Sequence, residues 1–263
     1  MTDDRLLLVI GGSMTHAWTT WESGLRQLGL KPAFCGWHAQ AWRHRSNTPP
    51  YQFEPDALKF NDVLNNSIFY PGDDKLHTAY GTKVVRPLSR IAGIVFTQPT
   101  SERGFMLSLY NNGYYVYSPD FPQAVDDKQL RSPISTELFV KWWSSHQYYS
   151  DAFLQECHAK IKNTAIFISP EILPREEQNY TLGFRQYYKY MMAILMNKLA
   201  EKYRVGYCVQ PEGTYEPARL YTYPEFAREA PDHHHYKVSY VEAITKTEPF
   251  QAFLNAAHAT AAT

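Results

Sequence analysis

A serine near the start of the chain and an Asp–His pair near its end are the residues whose types could do chemistry together. Ser13 follows Gly11-Gly12 at the end of the apolar run Leu6-Leu7-Leu8-Val9-Ile10. Asp232-His233-His234-His235 stands far along the chain. A hydroxyl acts as a nucleophile when a base lies within hydrogen-bond reach and a third group orients that base. An Asp three residues before a His on a short loop can turn back and hold the imidazole. Ser13, His235 and Asp232 are therefore candidates for nucleophile, base and orienter. Each also has a plainer use. Ser13 can cap the helix that follows, since serine is a good N-cap residue. His233 and His234 can be solvated or locally bonded. His16, just beyond Ser13, is a second-rank candidate whose plain alternative is a surface helix position.

Three histidines in a row also suggest zinc, which is often held by imidazoles. Adjacent residues of an extended chain point to opposite sides, so such a run does not converge on one ion. No metal is expected, and no cofactor. The nucleotide and zincin patterns GxGxxG, Walker A and HExxH are missing, as are paired CxxC and the GxSxG elbow.

The elements that must position these residues show as apolar runs. Leu6–Ile10 has the continuous apolar character of a strand buried on both faces, as in a parallel sheet. Trp18 to Leu28 reads as a helix, and Pro32 to Trp37 as a second strand. Ile91–Thr97, Thr164–Ile168 and Val205–Val209 read as three more strands. Thr136–Ile161 and Gly183–Tyr203 read as helices, with Phe139, Trp142, Trp143, Tyr149, Phe153 and Leu154 as a core stripe. Val238–Ile244 and Glu248–Ala257 read as closing helices. Leu107 to Tyr117, with Asn111-Asn112-Gly113 at its middle, carries a hairpin signal. His38 to Arg90 lacks periodicity and carries turn signals at Pro49-Pro50, Pro55-Asp56 and Pro71-Gly72. It is expected to be an irregular, aromatic-rich insertion that packs over the carboxyl edge of the sheet and walls the site with Trp37, Trp42 or Tyr70. Strands separated by helices give an α/β sheet with helices on both faces, in one domain spanning 1–263.

Composition narrows the partners. The chain has 26 basic and 26 acidic residues and no formal net charge, which argues against a general nucleic-acid binder. No apolar run is long enough to span a membrane. Cys35, Cys157 and Cys208 are few and widely spaced. With an acidic start that lacks a signal peptide's basic region, they point to a reducing cytoplasm. Aromatic residues make up 15% of the chain. Their faces suit sugar rings as well as ordinary cores, so the expected partner is a saccharide or another small molecule.

At the same residues the sequence resembles the SGNH hydrolases, and within them the GSCFA-like group. Gly12-Ser13 matches the Gly-Ser of the first block, although most members have Asp where Gly12 stands. Phe96-Thr97-Gln98-Pro99-Thr100-Ser101-Glu102 resembles the segment in which a strand ends in Thr-Leu-Gly-x-Thr-Glu. Ile168-Ser169-Pro170 resembles the group's Ser-Pro after the fourth strand. Asp232-x-x-His235 matches the last block. The resemblance spans the chain from the first strand to the loop after the fifth. It implies a single three-layer α/β/α domain with a mainly parallel five-stranded sheet in the order 2-1-3-4-5. It also implies Ser13 as nucleophile, His235 as general base and Asp232 as its orienter.

Two positions depart from the pattern. Pro99 stands where the second block has a glycine that donates to the oxyanion hole, and proline has no N–H. The Gly-x-Asn-Asp block is missing. Gly12, Gln98, Ser101, Glu102 and Ser169 remain as oxyanion or substrate-binding candidates. The activity implied is a serine-dependent esterase or O-acyltransferase acting on an ester of a saccharide or small molecule, with an acyl donor in the second case. The alternative is a non-catalytic glycan- or partner-binding module that keeps the fold and has lost its oxyanion hole.

Overall fold

The structure is a computed structural model that describes residues 6–11, 15–36, 49, 51–60, 84–97, 102–117, 132–161, 165–168, 180–228 and 236–259. Five strands form its central sheet: β1 (Leu6–Gly11), β2 (Lys31–Gly36), β6 (Ile91–Thr97), β9 (Ala165–Ile168) and β10 (Gly206–Cys208). All pair in parallel, and they lie side by side as β10-β9-β6-β1-β2. Counted in chain order, these five lie 2-1-3-4-5. The chain builds outward in one direction from β1 to β2, then returns to the other side of β1 and builds outward again.

The apolar runs at β1 and β6 serve two cores at once, because successive side chains of a strand face opposite ways. Leu6, Leu8 and Ile10 join Ile91, Ile94 and Phe96 in one core. Leu7 and Val9 join Ala92 and Val95 in the other. The first core is covered by α3 (Glu102–Asn111), α4 (Thr136–His146), α5 (Tyr148–Lys160) and α6 (Leu182–Tyr203). The second is covered by α1 (Thr15–Thr20), α2 (Glu22–Gln27), α7 (Val238–Thr245) and α8 (Glu248–Ala259). The sheet is thus the middle of three layers. Gly93 lets α8 lie close on β6: a Cβ there would come within 2.7 Å of the Phe253 ring. The β1–β6 register shifts between Leu6 and Leu7, which face Ile91 and Gly93. Ala92 is the extra residue of this bulge.

Several local expectations are corrected. The stretch expected as one helix from Trp18 is two helices that meet at Trp21, where φ is −94° and ψ is 25°. Likewise 136–161 is two helices meeting at Gln147. The expected hairpin at 107–117 does not form. Leu107 to Asn111 ends α3, and Gly113, at φ 72°, turns the chain out of the helix. Glycine is as well suited to a helix C-terminus as to a hairpin turn, so Asn-Gly alone cannot separate the two. The strand that follows, β7 (Tyr114–Val116), pairs in parallel with β8 (Ser132–Ile134) instead.

The insertion at 38–90 is not wholly irregular. Within it β3 (Tyr51–Phe53), β4 (Ala57–Phe60) and β5 (Val84–Pro87) pair antiparallel. Each is three or four residues long, too short to show alternation in the sequence. Tyr51 and Leu58 enter the first core. Phe153 of α5 stacks on Phe53, meets Tyr51 edge-on at 4.8 Å between ring centres, and stacks on Phe96 of β6. The described part of the insertion therefore docks on a face of the sheet. Trp37, Trp42 and residues 61–83 lie outside the described residues. Residues 211–228 hold a small hairpin, β11 (Tyr215–Glu216) with β12 (Tyr221–Thr222).

Phe153 is completely buried and joins the insertion, α5 and the sheet. Phe153→Ala is expected to cost about 3–5 kcal/mol of unfolding free energy, as large-to-small core changes do. Phe153→Leu is expected to cost distinctly less. Urea denaturation of the two variants checks this, and equal small losses would show that the insertion is not anchored through this ring.

Candidate active site

The strand registers bring the carboxyl ends of the sheet to one level. Gly36 pairs with Gly11, Gly11 with Thr97, Thr97 with Ile168, and Ile168 with Cys208. In an open α/β sheet, ligands bind beyond the carboxyl ends, where the strand order reverses. Here that reversal lies between β1 and β6. Thr97 fastens the two strands at this point. Its buried Oγ1 donates to the Ile10 carbonyl oxygen at 3.2 Å.

The residues singled out in the sequence follow this row of strand ends along the chain. Trp37 comes one residue after β2, Gly12 and Ser13 one and two after β1, Gln98 one after β6, and Ser169 one after β9. Gly12, Ser13, Trp37, Trp42, Gln98, Ser101, Ser169, Asp232 and His235 all lie outside the described residues. Glu102 is the first residue of α3 and His16 the second of α1.

The frame around the Asp–His loop is described at both ends. Ala227 and Tyr236 form an antiparallel bridge. The Lys237 N–H donates to the Phe226 carbonyl at 2.9 Å, and Ser239 Oγ donates to the Glu225 carbonyl at 2.8 Å. Tyr236 stacks on Tyr240 with ring centres 3.9 Å apart. Tyr236 and Tyr240 belong to the same core as Ala17 and Trp18 of α1. Helices α1 and α7 pack against each other there.

Cysteine chemistry finds no support in this frame. Cys157 and Cys208 are free and buried. Burial pushes the Cys208 thiol up to about 11, against the ordinary 9.0, although Thr247 Oγ1 lies 3.3 Å away. Burial also raises Cys157. Among the described residues, no group of His, Cys, Asp and Glu is placed to hold a metal ion, and no helix is long and apolar enough to cross a membrane.

One concavity was not legible in the sequence. A cavity of about 400 Å³ opens at the end of β10, between α6 and the 209–215 loop. Lys189, Gln210 and Tyr215 line it, with Met192 and Met196 on its floor. Gln210 is buried, and its Nε2 donates to Thr222 Oγ1 at 2.8 Å. Lys189 sits among aromatic and apolar neighbours on α6, a pattern that in sequence is indistinguishable from a solvated helix face.

Comparisons with known proteins add little. No family model matches the chain, and no curated protein matches it. Among solved structures, a GDSL-like lipase from Parabacteroides merdae overlays on 97% of this chain and 96% of its own, at 13% identity and a TM-score of 0.39. Axe2, an acetylxylan esterase from Geobacillus stearothermophilus, overlays on 98% and 96%, at 14% identity and a TM-score of 0.42. Both overlays fall below the level at which two chains share a fold, so nothing about this chain follows from them.

The buried thiol gives a pH prediction. Its folded value lies above its unfolded one, so its contribution to stability is fully present below about pH 9 and is lost as pH rises towards 11. Urea denaturation from pH 8 to 11 is expected to show a steeper alkaline decline in the wild type than in Cys208→Ala. Iodoacetamide is expected to leave Cys208 unlabelled at pH 7.5 in the folded protein. Rapid labelling there would show that the thiol is neither buried nor protonated.

Proposed function

We propose that this chain is one SGNH-like domain working as a serine-dependent esterase or O-acyltransferase. Its substrate is an ester or O-acyl group on a saccharide or small molecule. Ser13 is the nucleophile, His235 takes and returns its proton, and Asp232 orients His235. The observation that carries this reading is the packing of α1 against α7 beside the end of β1. Helix α1 opens two residues after Ser13, and α7 opens three residues after His235. The contact between these two helices supports a meeting of the segments that lead into them. The bridge between Ala227 and Tyr236 closes the base of the loop that carries Asp232 and His235. That closure suits a base that must be held in one orientation.

The reaction follows from those roles. Ser13 Oγ attacks the ester carbonyl as His235 removes its proton. The tetrahedral intermediate collapses to an acyl-serine, and His235 returns the proton to the leaving alcohol. Water then frees the acid in an esterase, whereas an acceptor hydroxyl takes the acyl group in a transferase. The oxyanion is held by the Ser13 N–H with Gln98 or Ser169, since Pro99 has no N–H to give. Gly12, Ser101 and Glu102 complete the edge, and Trp37 and Trp42 are its aromatic wall.

Ser13→Ala and His235→Ala are each expected to abolish turnover of short acyl esters by similar large factors, because nucleophile and base act as a unit. Asp232→Asn is expected to cost less, since both reacting groups remain. His233→Ala and His234→Ala are expected to change little. Activity is expected to fall on acidification, as His235 takes up a proton and can no longer accept one from Ser13. A covalent serine probe with mass mapping is expected to label Ser13. Normal turnover by Ser13→Ala would end the serine mechanism.

A further inference from the structure

Helix α6 presents two cations to the β11–β12 hairpin, and neither has a carboxylate partner among the described residues. Arg185 and Lys189 lie one helical turn apart. Lys189 Nζ donates to the Tyr215 hydroxyl at 2.6 Å and lies 4.2 Å from that ring's centre. The Arg185 guanidinium lies over Tyr221, 5.1 Å from its ring centre. Arg185 is only 5% exposed, and its Nε and Nη1 are buried with no hydrogen-bond acceptor among the described residues. The hairpin's own acid is turned elsewhere: Glu216 lies 3.8 Å from Arg219. Glu212 lines the cavity but is exposed and forms no ion pair among the described residues.

Like charges on adjacent helical turns repel, and a buried charge without its opposite is costly. The two tyrosine rings offset part of that cost, because a ring face attracts a cation. A negative charge in the cavity would offset the rest. The floor indicates what must accompany that charge. Met192 and Met196 give it an adaptable apolar surface. A volume of about 400 Å³ is in the range of small-molecule pockets.

We propose that this cavity binds an organic monocarboxylate. The carboxylate sits on Lys189, the Arg185 charge supports it from one turn behind, and the apolar body lies on Met192 and Met196. The site is distinct from the edge beside β1. Cys208, which lines the cavity, ends β10, three strands from β1. At ~4.8 Å per strand that is about 14 Å. The proposal therefore stands whether or not Ser13 is a nucleophile.

The test is methionine-methyl NMR on the full chain, with Met192 and Met196 assigned through their leucine variants. Hexanoate is expected to shift both methyl resonances saturably, at least tenfold more tightly than hexanol. Hexylammonium and inorganic phosphate are expected to leave them in place. Lys189→Met is expected to remove the preference for hexanoate over hexanol, and Lys189→Arg to keep it. The wild-type comparison of hexanoate with hexanol decides the matter even if Lys189→Met fails to fold. Equal affinity for the two, phosphate binding as tight as hexanoate, or hexanoate that leaves both methionines unmoved would each overturn the proposal.

Discussion

The parallel pairing of β1 with β6 supplies side chains to both hydrophobic cores. β1 also pairs with β2, so it has a strand on either side. Leu7, Leu8, Val9 and Ile10 are wholly inaccessible to solvent. Burying each such side chain stabilises by roughly 1.5–3 kcal/mol, and each core takes alternate residues of the same strand. Both helical layers dock on side chains that this pair supplies. The bulge at Ala92 lies at the amino end of β6, and the pairing above it runs in step to Gly11 and Thr97.

That regular register is what gives the carboxyl edge its meaning. Five strands end level, and the order reverses beside β1. The chain leaves β1 through a glycine pair and a serine, then enters α1. It later reaches α7 through the histidine run, and α7 lies against α1. Two helices more than two hundred residues apart are thus brought together by packing on a shared core. Ala17, Trp18, Tyr236, Tyr240 and Val241 are the side chains that do this.

The opposite layer is organised by α6, whose buried face runs from Phe184 to Tyr203. Two of its tyrosines tie down β7: Tyr187 donates to the Tyr114 carbonyl and Tyr190 to the Val116 carbonyl, each at 2.7 Å. Two of its cations hold the β11–β12 hairpin through tyrosine rings. Among the described residues, aromatic rings thus join elements of the fold, as with Phe153 between the insertion and the sheet.

The five apolar strand segments, the long helix after the fourth and the two closing helices are all legible in the residues alone. Each is long enough, or apolar enough, to carry its own periodicity. The sequence also offered Ser13, Asp232 and His235 as candidates, through residue type, short motifs and a family resemblance. What Asn112-Gly113 does depends on long-range packing, because a left-handed glycine ends a helix as readily as it turns a hairpin. The tertiary structure also decided that residues 51–60 and 84–87 pair as strands, since segments of three or four residues gain their structure from a partner rather than from their own pattern. The pairing of Arg185 and Lys189 with Tyr221 and Tyr215 lay equally beyond the sequence. Those residues are about thirty positions apart, and only the docking of a hairpin on a helix makes them neighbours.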